Sequence, residues 1–257
     1  MPWVTKTGAR SCFQPAIGNG SSKRQWMSRA LSLAFEIVFA SSLMMMPACR
    51  PVSPSEPFHF EVGDILFQDL DCGPLCDAIE AVTQGAHGAS LSHVAIVSRV
   101  QDGDVWVIEA YAQGVVEVPV QQLLSRSHDA QGQPKVLVGR LRPPLRHLIS
   151  PAIQAARKRL GMPYDEAFMM NNGAYYCSEL LYDIFVEANA GQAVFELQPM
   201  TFRKPGSSYP HQVWQAYFEK RKEPVPEGKP GLNPGAMSRS SAIRIVSALG
   251  APAGWRR

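Results

Sequence analysis

Short hydrophobic runs separated by turn residues occupy much of the chain between residues 60 and 141, and they predict a β-sheet. Runs of β-branched and other apolar residues bounded by glycine and aspartate are typical of strands. The predicted strands cover residues 65–68, 92–100, 105–110, 114–118 and 135–141. Asp102-Gly103-Asp104 predicts a hairpin turn between the second and third strands. Because consecutive strands usually pair, we expect an antiparallel meander.

Hydrophobic residues spaced three and four positions apart predict helices in other parts of the chain. The predicted helices cover residues 72–84, 119–126, 150–160, 177–188 and 209–221. Ser150 followed by Pro151 is a typical helix start. In the 177–188 helix, Cys177 lies in the first turn and on the same face as the apolar residues that follow it. Together with the strands, these helices predict an α+β fold.

The two ends of the chain differ from the middle in composition. Residues 50–60 are rich in proline and serine and predict an extended linker before a folded domain over 61–222. Proline, glycine and serine dominate 223–257, so we expect a disordered tail there. A hydrophobic content of 46% fits a globular core, and a dispersed net charge of +3 argues against a nucleic-acid partner.

Residues 1–49 resemble an export signal. Arg29 precedes an apolar run over 30–46, and Pro47-Ala48-Cys49 follows, the order of a bacterial lipoprotein signal. We therefore expect Cys49 to be lipidated and the domain to be anchored in the cell envelope, facing the periplasm. Met27 begins this signal by itself, so residues 1–26 are expected to be an upstream extension. An uncleaved membrane anchor and an apolar helix of the fold are the alternatives.

The remaining cysteines do not predict a metal site. Cys72 and Cys76 are separated by three residues, and no second pair of cysteine or histidine ligands lies nearby. A local disulfide and two independent helix cysteines both fit this spacing. We expect neither a metal nor a cofactor, and the sequence does not indicate an oligomeric state.

Cys177, His93 and Glu109 are the candidate catalytic residues. The positive end of a helix dipole favours a thiolate at Cys177. His93 begins a strand directly after a loop, and the hairpin brings Glu109 near it on the adjacent strand. A carboxylate that holds one imidazole nitrogen leaves the other free for the thiol. Taken singly, each residue also fits a structural role: a buried helix cysteine, a strand-end histidine and a solvated strand carboxylate.

Four blocks in this order resemble the YiiX/YebB-like branch of the NlpC-type permuted papain-like cysteine hydrolases. They are residues 63–67, residues 92–97, Glu109 and residues 176–180. The resemblance implies a permuted papain-like core in which a sheet packs against the helix that carries the nucleophile. It also implies Cys177 as nucleophile, His93 as base and Glu109 as third member, with Tyr164 and Tyr176 lining the substrate cleft.

Three functions follow as hypotheses. The first is an exported cysteine amidase or peptidase that cleaves small amides or cell-wall peptides through a thioester intermediate. The second is a thiol-dependent lipid acyltransferase or lipid hydrolase, since relatives with this core include such enzymes. The third is an envelope binding module without catalysis. A small peptide, amide or acyl compound is the expected partner, together with the membrane through the lipid anchor, and fold alone does not fix the substrate.

Overall fold

A six-stranded antiparallel sheet is the central element of the computed structural model, which describes residues 58–256. Its strands lie in the order β4-β3-β2-β1-β5-β8. They are β1 (Ile65–Gln68), β2 (His93–Gln101), β3 (Asp104–Tyr111), β4 (Gly114–Pro119), β5 (Val136–Leu141) and β8 (Ile243–Ala248). A second, two-stranded sheet pairs β6 (Gln198–Pro199) with β7 (Pro230–Gly231).

The predicted meander is confirmed for the first four strands, and β5 departs from it. β5 pairs with β1 and not with β4. A short helix, α2 (Val120–Leu124), follows β4, and its Val120 and Leu123 pack against Leu66 and Val97 on one face of the sheet. The chain therefore crosses this face between β4 and β5 and returns beside the first strand.

The predicted helices are present, with shifted ends. They are α1 (Pro74–Val82), α3 (Ile149–Lys158), α4 (Cys177–Ala188) and α5 (Tyr209–Arg221), with 3₁₀ helices at Ala86–Gly88 and Pro143–Leu148. The expectation that Ser150 caps α3 is wrong. The second 3₁₀ helix runs directly into α3, so Ser150 lies inside the first turn and Leu148 precedes it.

The largest hydrophobic core lies between the sheet and helices α3 and α4. Ile65, Phe67 and Ile96 of the sheet belong to the same core cluster as Leu180 and Ile184 of α4, and all five are fully buried. A separate cluster joins α1 to α5 through Ala78, Trp214 and Phe218. This arrangement fixes α4, with Cys177 at its start, against the middle of the sheet.

The prediction of a disordered tail over 223–257 is wrong for the described residues. This segment contains β7, a short helix α6 (Pro234–Ser238) and β8, which is the edge strand beside β5. Ile243 and Ile245 join the main core, Arg244 between them is exposed, and Val246 packs in the cluster on the other face of the sheet. A short β-branched run of this kind is typical of a strand. The folded domain therefore extends to residue 256 and does not end at 222.

The structure describes Cys72 and Cys76 but not the predicted signal segment. Cys49 and the signal segment lie outside the described residues. Within residues 58–256 no helix has the length and apolar character needed to cross a membrane. Cys72 and Cys76 form a disulfide at the start of α1, which decides between the two readings of that pair.

Candidate active site

Cys177 is the first residue of α4 and faces the sheet. The preceding residue, Tyr176, is extended, so the helix begins abruptly at the cysteine. The thiol-bearing residue is 6% exposed and belongs to the main core cluster. The first backbone N–H groups of a helix have no intrahelical acceptor and carry the positive end of its dipole. A negative charge on or near Cys177 is stabilised by this position.

His93 and Glu109 are in direct contact beneath the helix start. Nε2 of His93, the first residue of β2, lies 2.6 Å from Oε2 of Glu109 on β3, and both side chains are buried. The register of the hairpin, in which Ile96 pairs with Ile108, explains this proximity. With Nε2 donating to the carboxylate, Nδ1 is the nitrogen left for the Cys177 sulfur, which is close enough to raise the pKa of His93.

Arg126 completes the buried ionic cluster. Its Nη1 donates to Glu109 Oε2 at 2.7 Å and its Nη2 donates to Oε1 at 2.5 Å. The guanidinium lies over the ring of Tyr111, 4.0 Å from its centre, and the same ring packs edge-on against the imidazole of His93. Arg126 therefore fixes the carboxylate of Glu109, and the ring of Tyr111 packs against the imidazole of His93.

The protonation of the pair follows from these contacts. Burial disfavours the imidazolium, but hydrogen bonds with Cys177 and Glu109 outweigh it and raise the pKa of His93 to about 9. Burial also disfavours the carboxylate, but hydrogen bonds from Arg126 and His93 prevail and lower the pKa of Glu109 to about 2. At neutral pH the cluster thus contains a charged imidazolium between the carboxylate of Glu109 and the sulfur of Cys177.

Tyr164 and Tyr176, the two tyrosines expected to line the cleft, are both in the cavity wall beside Cys177. A short parallel bridge between Tyr164 and Tyr175 fixes the loop that carries the first of them. Burial raises the pKa of Tyr164 well above its usual value, so its hydroxyl remains a hydrogen-bond donor. The Tyr176 hydroxyl is already engaged, since it accepts a hydrogen bond from the Leu232 backbone at 3.3 Å.

Glu179 is a buried carboxyl two residues after the cysteine. Its Oε1 accepts a hydrogen bond from the Asn171 backbone at 3.0 Å, whereas its buried Oε2 has no partner among the described residues. Burial raises the pKa of Glu179 to about 7, and the neighbouring Asp165 adds to the effect. Its position in the first turn ties the loop before Cys177 to the helix itself.

A cavity of about 170 Å³ opens at Cys177. Its wall is mainly apolar and includes Phe168, Met200, Phe202 and Trp214. His93 is not part of the wall. A substrate in the cavity therefore meets the sulfur of the cysteine first.

The segment expected to be disordered forms one side of this cavity. Leu232 in that segment is held at both of its backbone polar groups: Tyr176 accepts from its N–H, and the Ser178 hydroxyl donates to its C=O at 2.7 Å. Leu232 lines the cavity together with Asn233. Tyr176 and Ser178, the two neighbours of Cys177 in the sequence, thus fix Leu232 in the wall of the cavity.

Several residues of the site carry no signal in the sequence. Arg126 follows a five-residue helix and is adjacent to Glu109 only because α2 folds back over the sheet. Trp214 lies on a helix that the sequence predicts, but its place in the cavity depends on the packing of α5 against α1. Leu232 was assigned to the tail. Only the tertiary fold brings these residues to the cysteine.

The fold and site define a permuted papain-like cysteine hydrolase, in which the strand that begins at His93 precedes the helix that begins at Cys177. The family model described as "Permuted papain-like amidase enzyme, YaeF/YiiX, C92 family" matches residues 59–247, well over half of the chain. The chain belongs to this family and is a cysteine amidase or peptidase.

A solved structure has the same fold. The crystal structure of the YiiX metalloprotein from Escherichia coli O157:H7 aligns with a TM-score of 0.61 at 22% sequence identity, covering 75% of this chain and 99% of that one. Comparison with curated protein sequences gives no match. In the described part of this chain, no group of three or more histidine, cysteine, aspartate or glutamate side chains is arranged to hold a metal ion.

Proposed function

We propose that the chain hydrolyses amide bonds through a triad of Cys177, His93 and Glu109 and a thioester intermediate. The observation that carries the proposal is the 2.6 Å contact between His93 and Glu109. This pair lies beside Cys177, which is the first residue of α4 and lines the cavity. In nucleophilic catalysis the orienting carboxylate fixes the imidazole so that its second nitrogen serves the nucleophile. The buried, charged partners supply that orientation here.

The first half of the reaction forms the thioester. The Cys177 thiolate attacks the carbonyl carbon of the amide, and negative charge develops on the carbonyl oxygen. Backbone N–H groups at the start of α4 and the protonated hydroxyl of Tyr164 are the donors proposed for this oxyanion; a donor in such a position is commonly worth about 3–4 kcal/mol. The imidazolium of His93 then transfers its proton to the departing amine, and the C–N bond breaks.

The second half regenerates the enzyme. The now neutral His93 accepts a proton from water, whose oxygen attacks the thioester carbon. The C–S bond breaks, the carboxylic acid leaves and the thiolate is again paired with the imidazolium. Glu109 stays ionised throughout, because its pKa of about 2 lies far below neutral pH.

The decisive test is the alkylation rate of Cys177 by iodoacetamide as a function of pH, read at that cysteine by peptide mass spectrometry. In the wild-type protein we expect alkylation at pH 6 to be at least about tenfold faster than in His93→Ala, because the imidazolium stabilises the thiolate. His59→Ala, at an exposed histidine, is the matched control. Equal alkylation rates in the wild type and in His93→Ala would contradict the proposed triad and favour a binding module without catalysis.

Acyl transfer to a lipid or another acceptor is the second candidate, and the apolar cavity favours it. Phe168, Phe202 and Trp214 suit an acyl chain better than a polar peptide. Both candidates share the thioester and differ in the second acceptor. Incubation of an acyl amide or ester with the protein, with and without an added amine or lysolipid, separates them: free acid indicates hydrolysis, and acylated acceptor indicates transfer.

Export and lipid anchoring at Cys49 are also proposed. The supporting observations are the charged and apolar order of residues 27–49 and the disulfide between Cys72 and Cys76, since disulfides persist mainly in oxidising compartments. Metabolic labelling with a radioactive fatty acid in the wild type and in Cys49→Ala tests this. Label that remains in Cys49→Ala would place the acyl group elsewhere.

A further inference from the structure

One charged side chain lies in the wall of the active-site cavity among the described residues. That residue is Arg239, and the other lining residues are apolar or carry neutral polar groups. An apolar wall lowers the local dielectric constant, so a single charge at its edge acts on a bound molecule more strongly than it would on an open surface.

The backbone that carries Arg239 is firmly held. The side chain of Asn233 caps α6 by accepting from the Ala236 N–H at 2.7 Å. Ser238, directly before the arginine, is buried, and its hydroxyl accepts from the Ala86 N–H at 2.9 Å. The backbone position of Arg239 is therefore fixed relative to the cavity.

The guanidinium itself has no competing anion in the described structure. Arg239 is exposed and forms no ion pair within residues 58–256. Arg140 and Arg159, by contrast, already bind carboxylates, of Asp64 and Asp183 respectively. The planar guanidinium of Arg239 is free to bind a carboxylate.

No aspartate or glutamate lines the cavity among the described residues, although Glu227 accepts a hydrogen bond from the N–H of the lining residue Phe202 at 3.1 Å. Glu80 does not line the cavity, but its Oε1 accepts a hydrogen bond at 2.7 Å from the hydroxyl of Ser92, which does. Burial raises the pKa of both Glu80 and Glu179 to about 7, so each carries only part of a negative charge at neutral pH. Arg239 is therefore the one charged side chain in the cavity wall within residues 58–256.

From these observations we infer that Arg239 selects substrates that carry a carboxylate, so that the natural substrate is an amide with an apolar acyl chain and an anionic end. The inference rests on the proposed function, because it names the substrate class of the same cysteine site. The apolar residues bind the acyl chain, Cys177 attacks the amide carbon and Arg239 binds the carboxylate through two parallel hydrogen bonds.

Ligand binding to the full chain carrying Cys177→Ala tests the inference without turnover. Two matched pairs of ligands place the charge at either end: N-octanoylglycine against N-octanoylglycinamide, and suberic acid monoamide against octanamide. Isothermal titration calorimetry gives the dissociation constants. We expect the anionic member of at least one pair to bind about tenfold tighter than its neutral partner, since hydrogen bonds to charged groups have that strength. Arg239→Gln abolishes the difference.

Arg244→Gln is the control for a change of net charge, because Arg244 is exposed on β8 and lies outside the cavity wall. The preference for the anionic ligand persists in that variant. Equal binding of charged and neutral members, or a preference that survives Arg239→Gln, overturns the inference while leaving the acyl cavity intact. Absence of binding by all four ligands overturns it too. The triad is judged separately by Cys177 alkylation, so the two failures are distinguishable.

Discussion

Arg126 holds both carboxylate oxygens of Glu109 through two parallel hydrogen bonds of 2.7 and 2.5 Å. One of those oxygens, Oε2, also lies 2.6 Å from His93 Nε2. The orientation of the imidazole therefore depends on an arginine that belongs to a different part of the chain and touches neither the thiol nor the cavity wall. Arg126 is a positioning residue.

Replacement of Arg126 tests this dependence. We expect Arg126→Gln to lower the rate of Cys177 alkylation at pH 6 by about 10- to 100-fold, the usual cost of losing an orienting partner. Arg126→Lys keeps the charge but not the paired geometry, so it recovers part of the rate. Arg157→Gln removes an exposed arginine and leaves the rate unchanged. A folded Arg126→Gln protein with the wild-type rate would show that Glu109 orients His93 without help.

The raised pKa of His93 predicts a pH-dependent stability. Because its pKa is about 9 in the folded protein and 6.5 ordinarily, the folded state binds the proton more tightly. The resulting stabilisation is complete below pH 6.5 and is lost as the pH rises to about 9. It amounts to at most about 3 kcal/mol of unfolding free energy.

Urea denaturation across this pH range measures the effect. In His93→Gln the decline in unfolding free energy above neutral pH is expected to disappear, whereas in His59→Gln, at an exposed histidine, it persists. A wild-type protein whose stability stays constant from pH 7 to 9 would contradict the charged imidazolium.

Glu179 predicts a substitution that stabilises. Its folded pKa of about 7 lies above the ordinary 4.5, so ionisation is unfavourable in the folded state and the protein loses stability as the pH rises through 7. At pH 8 Glu179→Gln is expected to raise the unfolding free energy by roughly 1 kcal/mol, reduced from the full shift by solvent screening. At pH 4 the two proteins should be equally stable.

Glu187, on the same helix, is the matched control. Hydrogen bonds from Lys158 and Arg159 lower the pKa of this exposed carboxyl, so Glu187→Gln removes a favourable charge and does not stabilise at pH 8. Equal responses of the two glutamine variants would indicate a general effect of net charge and not the burial of Glu179.

Ser178 predicts how firmly the C-terminal segment is attached. Ser178→Ala leaves the buried Leu232 carbonyl without its donor, which is expected to lower the unfolding free energy by about 1–2 kcal/mol. Limited proteolysis should then cut residues 223–242 faster than in the wild type. Ser125→Ala, at a serine with an exposed hydrogen bond, should change neither quantity. Unchanged cleavage in Ser178→Ala would show that other contacts hold the segment.

Local periodicity allowed much of the sheet and the helices to be predicted, together with the positions of Cys177, His93 and Glu109 in them. Cys177 and His93 stand at element starts that short-range patterns identify, and the hairpin turn places Glu109 near His93. β5 was misplaced because its pairing with β1 depends on the path of α2 across the sheet.

Other features depend on contacts between distant parts of the chain. The salt bridge between Arg126 and Glu109 forms only after α2 has folded over the sheet, and no spacing rule encodes it. β8 was overlooked because the average composition of residues 223–257 concealed one short β-branched run at 243–248. Residue pattern over six positions was a better guide there than composition over thirty-five.

The pairing of β8 with β5 has a consequence for how the enzyme matures. Leu232 in one wall of the cavity, and the strand β8, lie C-terminal to α4, so the helix that begins at Cys177 is synthesised before them. During synthesis, α4 is therefore present before the cavity beside Cys177 can close. We expect Cys177 to lack this wall, and the tight binding that it provides, until residues 232–248 have left the ribosome and folded onto β5.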